Sequence, residues 1–517
     1  MTREAFDAIE LEILRNQLES VAEEMGEVLV RGAFSPNITE RRDCSTALFD
    51  DAGRLVAQAE HIPVHLGAMP AAVEAVIDRD PMPGDAFLLN DPFAGGTHLP
   101  DLTLVSPVVE GGEIVAYAVS RAHHADVGGA TPGSMPADST EIHAEGIRVP
   151  PTRVFAGGEQ REDLIDLLLA NVRNPRERRA DLQAQLAANQ RGQERVTALL
   201  ADHGDRLLAA FDAVMDYSRE RIEHELDALP DGEYRAEDVL EGSGDEEDEE
   251  IPVVATVTID GQCLSVDFTG TADQVPGNLN APLAVARSAV YYVVRCITDS
   301  EIPPNHGCYE PISVIAPSGS LVNPSPPAAV VGGNVETSQR VADVTFAALA
   351  KAAPDVVPAA SQGTMNNLIV GGPDFTYYET IGGGAGGTPE QDGESGVQVG
   401  MTNTENTPIE ALELAYPLRI NEYALRGDSG GTGAHSGGDG LIRELVLESP
   451  ATVSLLTERR RVPPAGRAGG ADGKTGRNLI DGEPAPVKVT RRLDAGATVR
   501  IETPGGGGYG PVDDEGT

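Results

Sequence analysis

Residues 84–129 read GDAFLLNDPFAGGTHLPDLTLVSPVVEGGEIVAYAVSRAHHADVGG. Three short apolar runs, Ala86–Leu89, Leu102–Val105 and Ile114–Val119, are separated there by clusters of Gly, Pro and Asp. Runs of that length bounded by turn residues read as strands. This stretch predicts a sheet with polar loops at its ends.

Upstream, Leu14, Leu18, Val21, Met25 and Val28 recur at spacings of 4-3-4-3, which predicts a helix over 8–32. Residues 35–58 predict a loop and a hairpin around Asp51-Ala52-Gly53. Downstream, Gly and Pro thin out between 162 and 227, and good helix formers such as those in DLQAQLAANQRGQERVTALL take over. Asn174-Pro175 and His203-Gly204-Asp205 should break that region into three helices. The acidic run GSGDEEDEE (242–250) reads as a solvated hairpin tip or linker, because a block of like charge resists burial. IPVVATVTIDGQCLSVDFTG then reads as two strands turned at Asp260-Gly261. Helices are expected at about 281–298 and 336–352, and from 362 onward short strands joined by Gly-rich loops. No repeat of roughly 20–50 residues is evident, which excludes a solenoid. The expected fold is α+β and multidomain. A mixed α/β domain covers 1–160, a helical segment 161–230, and a β-rich, glycine-rich mixed part 231–517.

Composition narrows the function classes. The 517 residues carry 38 Lys+Arg against 82 Asp+Glu, a formal net charge of −44. Such a field repels nucleic acid and anionic membrane surfaces. Only Lys351, Lys474 and Lys488 are lysines, so the other 35 of the 38 cations are arginines. An acid-rich, lysine-poor surface suits a halophilic setting, where screening lengths of about 3 Å at 1 M salt tame self-repulsion. Cys44, Cys263, Cys296 and Cys308 form no CxxC pair, which points to a reducing compartment. The stretch Met1–Asp7 lacks a basic, then apolar, signal pattern, and no apolar run is long enough to span a bilayer. A cytoplasmic location is expected.

Six of the ten histidines (His61, His65, His98, His123, His124, His143) fall between 61 and 143. Imidazole is the commonest metal ligand and the usual base near neutral pH, so this region is the first candidate site. His98 and Asp101 stand three apart after a Gly-Gly turn, a spacing that lets both reach one point from a loop. His123 closes a strand-like run. Two imidazoles with one or two carboxylates suit Zn²⁺, Mn²⁺ or Fe²⁺ and leave a position open. Asp43 is the best additional carboxylate. On spacing alone, a second reading stands beside this one: the same side chains satisfying buried hydrogen bonds in tight turns. His61 and His65 flank Ile-Pro-Val; Pro63 argues for an extended segment, so both are expected to be loop-packing residues. Glu141 and Glu145, beside His143, are carboxylates that could serve as acid or base.

Three familiar strings do not carry chemistry. Gly427-Asp-Ser429-Gly-Gly431 spells a serine-protease nucleophile but lacks the partner strings and the strand-to-helix elbow, and reads as a turn. Gly473-Lys474-Thr475 resembles a phosphate loop, but its first glycine position is Ala468. Gly382-x-Gly384-x-x-Gly387 is followed by no helix. The chain shows no nucleotide loop of its own.

Longer segments are more specific: SPNITERRDCSTALFD (35–50), HIPVHLGAMP (61–70), NDPFAGGTHLPDLTLVSPV (90–108), RAHHADVGGATPGSMP (121–136), EGIRVPP (145–151), DLQAQLAANQ (181–190), NHGCYEPISVIAPSGSLVNP (305–324), GGNVETSQRVADV (332–344), MTNTENTPIEALE (401–413) and ETPGGGGYG (502–510). In these the sequence resembles the B subunit of the hydantoinase/oxoprolinase family, nearly end to end. The resemblance implies a hetero-oligomer with a hydantoinase A-type, actin-like ATPase subunit. The partner uses ATP to phosphorylate the carbonyl of a small cyclic amide, and the B subunit performs metal-assisted hydrolysis. It implies a metal site at His98, Asp101 and His123 with Asp43, and acid–base or supporting roles for His124, Asp126 and Glu145. Related subunits in acetone and acetophenone carboxylases make ketone carboxylation the rival chemistry, and a non-catalytic scaffold for the ATPase is a third reading. Cys44 stands where the family leads one to expect an aromatic, His143 an apolar or amide residue, and Ser436 an arginine.

Overall fold

The computed structural model describes residues 6–60, 62–242 and 249–512. His61 and most of the acidic run therefore lie outside the described residues. The fold is α+β with several sheets.

The first sheet contains β1 (Cys44–Asp50), β2 (Leu55–Glu60), β3 (Ala86–Leu89), β4 (Asp101–Glu110), β5 (Glu113–His123), β6 (Thr152–Ala156) and β7 (Glu159–Gln160). Its order is β2-β1-β5-β4-β3-β6-β7, antiparallel throughout. The register of β4 on β5 sets Asp101 directly opposite His123, and cross-strand partners share a face. On the other side of β5, Cys44 pairs with Ala122, and the His123 N–H donates to the Asp43 carbonyl at 3.0 Å. One end of this sheet thus collects residues 43, 101 and 123.

Helices cover the sheet: α1 (Ala8–Gly32), α2 (Met69–Ile77), α3 (Glu162–Leu169), α4 (Pro175–His203) and α5 (Asp205–Asp227). The breaks fall at Asn174-Pro175 and Gly204, as the turn residues predict. Asp7 caps α1 by accepting the Glu10 N–H at 2.8 Å. The expected stripe of α1 is buried except for Val28, which is half-buried, while Ala22, Gly26 and Leu29 are buried instead. The small residue at the closest approach is on α4: a Cβ on Gly192 would lie 2.5 Å from Met25 Sδ of α1. The inner face of α4 is polar. The Gln185, Asn189 and Gln193 amides donate to the Leu102, Leu104 and Pro107 carbonyls at 2.9, 2.9 and 2.6 Å. Four helical residues rise about 6 Å and two strand residues about 7 Å. Gln185 and Asn189, four apart on α4, therefore meet carbonyls two apart on β4, and Gln193 reaches the carbonyl three further on.

The second sheet is β11-β10-β9-β8, from β8 (Gly232–Glu241), β9 (Glu250–Asp260), β10 (Cys263–Asp267) and β11 (Ile312–Ile315). The acidic run joins β8 to β9, whose last pair is Glu241 with Glu250. α6 (Leu283–Ile297) and α7 (Ser338–Leu349) follow. α7 is entered through a π-helical turn at Gly333–Thr337, earlier than the expected start at 336. A Cβ on Gly333 would sit 1.9 Å from the Asn280 carbonyl oxygen, so the backbone can come this close only as glycine.

Nine strands complete the chain: β12 (Asn367–Gly371), β13 (Thr376–Glu379), β14 (Leu418–Arg426), β15 (Gly440–Leu447), β16 (Ala451–Leu456), β17 (Arg477–Ile480), β18 (Glu483–Pro484), β19 (Lys488–Leu493) and β20 (Thr498–Glu502). They form two sheets, β13-β12-β16-β19 and β14-β15-β20-β17-β18. The Gly505–Gly508 run threads between extended loops, with the Gly506 and Gly507 N–H groups donating to the Gly438 and Ala360 carbonyls at 2.9 and 2.8 Å. The largest apolar core runs from Ala47 to Leu456 and joins elements of all three expected segments.

Candidate functional site

The site begins with a turn. Gly95 and Gly96 are obligatory: a Cβ on Gly95 would come 2.5 Å from the Ala71 carbonyl oxygen, and one on Gly96 2.4 Å from that of Asn90. Gly95 also has φ of +93°. Asn90 pins the loop by donating to the Leu99 and Ile147 carbonyls at 2.7 and 3.0 Å. His98 and Asp101 follow, fixed at the start of β4.

Asp101 is the hub. Its Oδ2 accepts from Thr97 Oγ1 at 2.8 Å and lies 3.0 Å from His98 Nδ1. His123 Nδ1 is 3.3 Å from Asp101 Oδ1 and 3.9 Å from Asp43 Oδ2. One ligand atom each from His98, Asp101 and His123 all fall within 4.8 Å of one another. Burial opposes ionisation of Asp101, but the imidazoles of His98, His123 and His65 outweigh it and hold its carboxyl well below the usual range.

His65 corrects the expectation of mere loop packing. Pro63 opens a short 3-10 turn rather than an extended segment, since proline fits the first helical position. The turn buries His65 with Nε2 3.6 Å from Asp101 Oδ2 and Nδ1 2.9 Å from Ser45 Oγ. Several buried polar atoms here have no hydrogen-bond partner among the described residues: His65 Nε2, both nitrogens of His98, Asp101 Oδ1 and His123 Nε2. Native interiors rarely leave so many unpaired in one place. Imidazole and carboxylate donors with unsatisfied atoms converging on one point fit a divalent ion of the Zn, Mn or Fe type.

The opposite wall comes from the C-terminal half. Tyr378 on β13 stacks on His123, ring centroids 4.8 Å apart, and the Arg41 guanidinium lies 4.6 Å over the Tyr378 ring. Arg41 also donates to the Tyr378 carbonyl and to the Thr380 and Thr404 hydroxyls. The Tyr378 hydroxyl donates to Asn367 Oδ1 at 3.0 Å, and Asn367 Nδ2 donates to Glu336 Oε1 at 2.7 Å. Glu336, in the π-helical turn, is wholly buried, and burial with the nearby Glu458 pushes its carboxyl up to about 8. Between the walls lies a small cavity of about 20 Å³, lined by Asp43, His65, His98, Asp101 and His123 on one side and by Asn334, Met365, Tyr378, Met401 and Thr402 on the other. Asn334, Met401 and Thr402 lie in the segments 332–344 and 401–413 that carry the resemblance, but only packing brings them, with Met365 and Tyr378, to this site.

His124, Asp126 and Glu145 do not line this cavity. His124 follows His123, and consecutive residues at a strand end point to opposite faces. Its Nε2 lies 3.0 Å from Gln185 Oε1 on α4, and burial pushes its imidazole down to about 4. Asp126 clamps a loop, accepting from the Gly128, Gly133 and Arg173 N–H groups at 2.9, 3.0 and 2.9 Å and from Arg173 Nη1 at 3.0 Å. Glu145 accepts the Val330 and Val331 N–H groups at 3.1 Å and the Ser139 hydroxyl at 2.9 Å, and burial pushes its carboxyl up to about 7. It anchors the segment leading to Asn334. His143 is exposed. Ser429 sits in a turn, its hydroxyl donating to the Arg426 carbonyl. Among the described residues no helix is long and apolar enough to cross a membrane.

Comparison with known proteins agrees with this architecture. A family model described as hydantoinase B/oxoprolinase matches residues 7–512. The 5-oxoprolinase 1 of Arabidopsis thaliana is 41% identical over 98% of this chain, which spans 42% of that protein's length. The crystal structure of an ATP-dependent caprolactamase from Pseudomonas jessenii superposes with a TM-score of 0.91 at 32% identity, covering 98% of this chain and 92% of that one. An acetone carboxylase structure shares the fold, with a TM-score of 0.88 at 20% identity over 98% of this chain and 76% of that one. The chain belongs to the hydantoinase B/oxoprolinase family.

Proposed function

We propose that this chain is the hydrolytic, B-type subunit of an ATP-dependent cyclic-amide hydrolase. It works with a hydantoinase A-type ATPase subunit in a hetero-oligomer. The observation that carries the reading is the convergence of His98, Asp101 and His123, with unpaired buried atoms, on one buried point beside a small cavity. The absence of a nucleotide loop from the sequence is in keeping with ATP being used by the partner.

His98, Asp101 and His123 would hold a divalent ion, with Asp43 the nearest further carboxylate. Such an ion supplies Lewis acidity and makes water a nucleophile near neutral pH. The chain's own residues do the rest. Ionised Asp101 orients the imidazoles of His98 and His123, and Thr97 fixes the carboxylate in turn. Asp43 is placed to take a proton from attacking water. Tyr378 covers one face of His123. Phosphorylation by the partner turns a resonance-stabilised amide into a better electrophile, so hydrolysis needs only a positioned nucleophile here.

The test uses the protein co-purified with its A subunit, comparing wild type with His123→Ala. The expected result is about one equivalent of Zn, Mn or Fe in the wild type. In the variant, metal and amide opening should both be lost while ATP cleavage continues. Equal turnover by two metal-free proteins would make the chain a scaffold. Bicarbonate-dependent consumption of acetone by the same complex would favour ketone carboxylation instead.

A further inference from the structure

The π-helical turn at Gly333–Thr337 serves two neighbourhoods at once. Asn334 and Val335 line the small cavity beside the histidines. Glu336, the next residue, lines no part of it; wholly buried, it reaches Asn367 on β12 instead. Single π-helical turns recur at functional sites. Asn367 has no freedom in how it meets this glutamate. Its Nδ2 donates to the Leu456 carbonyl at 2.9 Å, and a carbonyl can only accept, so the amide nitrogen is fixed on that side. Oδ1 is left for the Tyr378 hydroxyl at 3.0 Å. Burial pushes the Tyr378 phenol up, so it stays a donor. The second Nδ2 hydrogen then needs an acceptor, and Glu336 Oε1 supplies it at 2.7 Å. The Met365 N–H donates to the same oxygen at 3.2 Å. Burial and Glu458 push the Glu336 carboxyl up to about 8, against the Thr364 hydroxyl, Lys488 and Arg460, which pull it down. Near pH 7 the group is mainly the neutral acid, so what it offers Asn367 is an acceptor rather than a charge. At the other end, the Tyr378 ring stacks on His123 with centroids 4.8 Å and planes 23° apart. Two hydrogen bonds and one stack thus run from Glu336 to an imidazole of the metal-type cluster.

We infer that Glu336 is a positioning residue for the hydrolysis proposed above: as a hydrogen-bond acceptor it holds Asn367, Asn367 holds the Tyr378 hydroxyl, and the anchored Tyr378 ring sets the plane of the His123 imidazole. The effect of Glu336 on rate rests on the hydrolase reading; its effect on the imidazole does not.

Position is read by NMR of the full chain carrying an isotope label at histidine Cε1. The His123 resonance is assigned by its loss in His123→Ala, and stacking on Tyr378 should place it upfield. Rate is read in the complex with the A subunit, offering 5-oxoproline and 2-pyrrolidone with ATP. Glu336→Met keeps the volume but offers no acceptor. It should move the His123 resonance off its upfield position and lower kcat for ring opening about 3-fold, with KM unchanged. Glu336→Gln keeps both the acceptor and the neutral charge, and should match the wild type in both readouts. In a Tyr378→Phe background, where the hydroxyl link is already cut, Glu336→Met should add nothing further. A His123 resonance unmoved by Glu336→Met overturns the inference. Failure of Glu336→Gln also overturns it, because the glutamate would then act by its charge. A shift of the same size in the Tyr378→Phe background does so too, since the influence would pass through Asn334 in the turn. If Glu336→Met does not fold, Asn367→Leu removes the middle link and its His123 resonance decides in the same way. If neither ring is opened, the hydrolase reading falls, and the resonance alone decides whether Glu336 sets His123.

Discussion

Among the described residues, two of the buried polar clusters are built on different principles. Beneath the sheet carrying β12, β16 and β19, cations meet anions directly. Lys488 Nζ is 2.6 Å from Glu458 Oε1, Arg340 Nη1 2.9 Å and Arg459 Nη2 2.8 Å from Asp238 Oδ2. Lys488 also donates to the Glu241 and Gly242 carbonyls. At the end of the first sheet, three imidazoles surround one carboxylate with no lysine or arginine on the lining and several atoms unpaired. In the first cluster each of these cations faces a carboxylate, although Arg340 Nε and Nη2 and Arg459 Nε have no hydrogen-bond partner among the described residues. The second groups imidazoles about a carboxylate and could hold a metal ion. Burial and polarity alone do not separate the two clusters; the pairing of opposite charges does.

The largest expected effect tests the imidazole cluster. Asp101→Asn keeps shape but loses the charge that orients His98 and His123. Steady-state ring opening should fall by on the order of 10³ or more, with thermal unfolding little changed. A variant that unfolds yet keeps its specific activity would reverse the assignment. Lys488→Met probes the ion-paired cluster. It strands Glu458, and chemical denaturation should show a loss of about 3–5 kcal/mol, while kcat/KM per folded molecule stays as in the wild type.

Glu145 adds a pH signature. Burial raises its carboxyl from an ordinary 4.5 to about 7, so between those values the folded chain holds a proton that the unfolded chain has released. Stability from this residue therefore falls as pH rises from about 4.5 to 7, by up to about 3 kcal/mol. Glu145→Gln should flatten the denaturation midpoint over that window; an unchanged slope would refute the role of burial. The smallest effect belongs to Tyr378→Phe. It keeps the stack on His123 but removes the hydroxyl bond to Asn367, at about 1 kcal/mol. Ring opening should drop only a few-fold in a kcat measurement, and a drop as large as that of Asp101→Asn would place the hydroxyl in the chemistry.

Local order was legible where one interaction range decides it. The breaks at Asn174-Pro175 and Gly204 follow from backbone preferences, and the β9–β10 turn at Asp260-Gly261 from hairpin geometry. Val28 was misplaced on the stripe because α4 approaches α1 more closely than a stripe can foretell. His65 was misjudged because Pro63 permits either an extended segment or a tight turn, and packing chose the turn. Tyr378 gave no signal, and Asn334 and Thr402 stood only within the segments 332–344 and 401–413 with no role assigned, since each reaches the cavity from more than 200 residues along the chain.

The sequence by itself determined the α+β arrangement, the Gly-Gly turn that presents His98, and the pairing of residue types suited to a metal, because these depend on spacing and side-chain chemistry. Tertiary structure alone decided that Asp101 faces His123 across a strand pair, that His65 joins them, and that His124 turns away. It also decided which neutral side chains close the cavity. Those outcomes rest on register and on contacts between distant segments, for which a linear spacing holds no information.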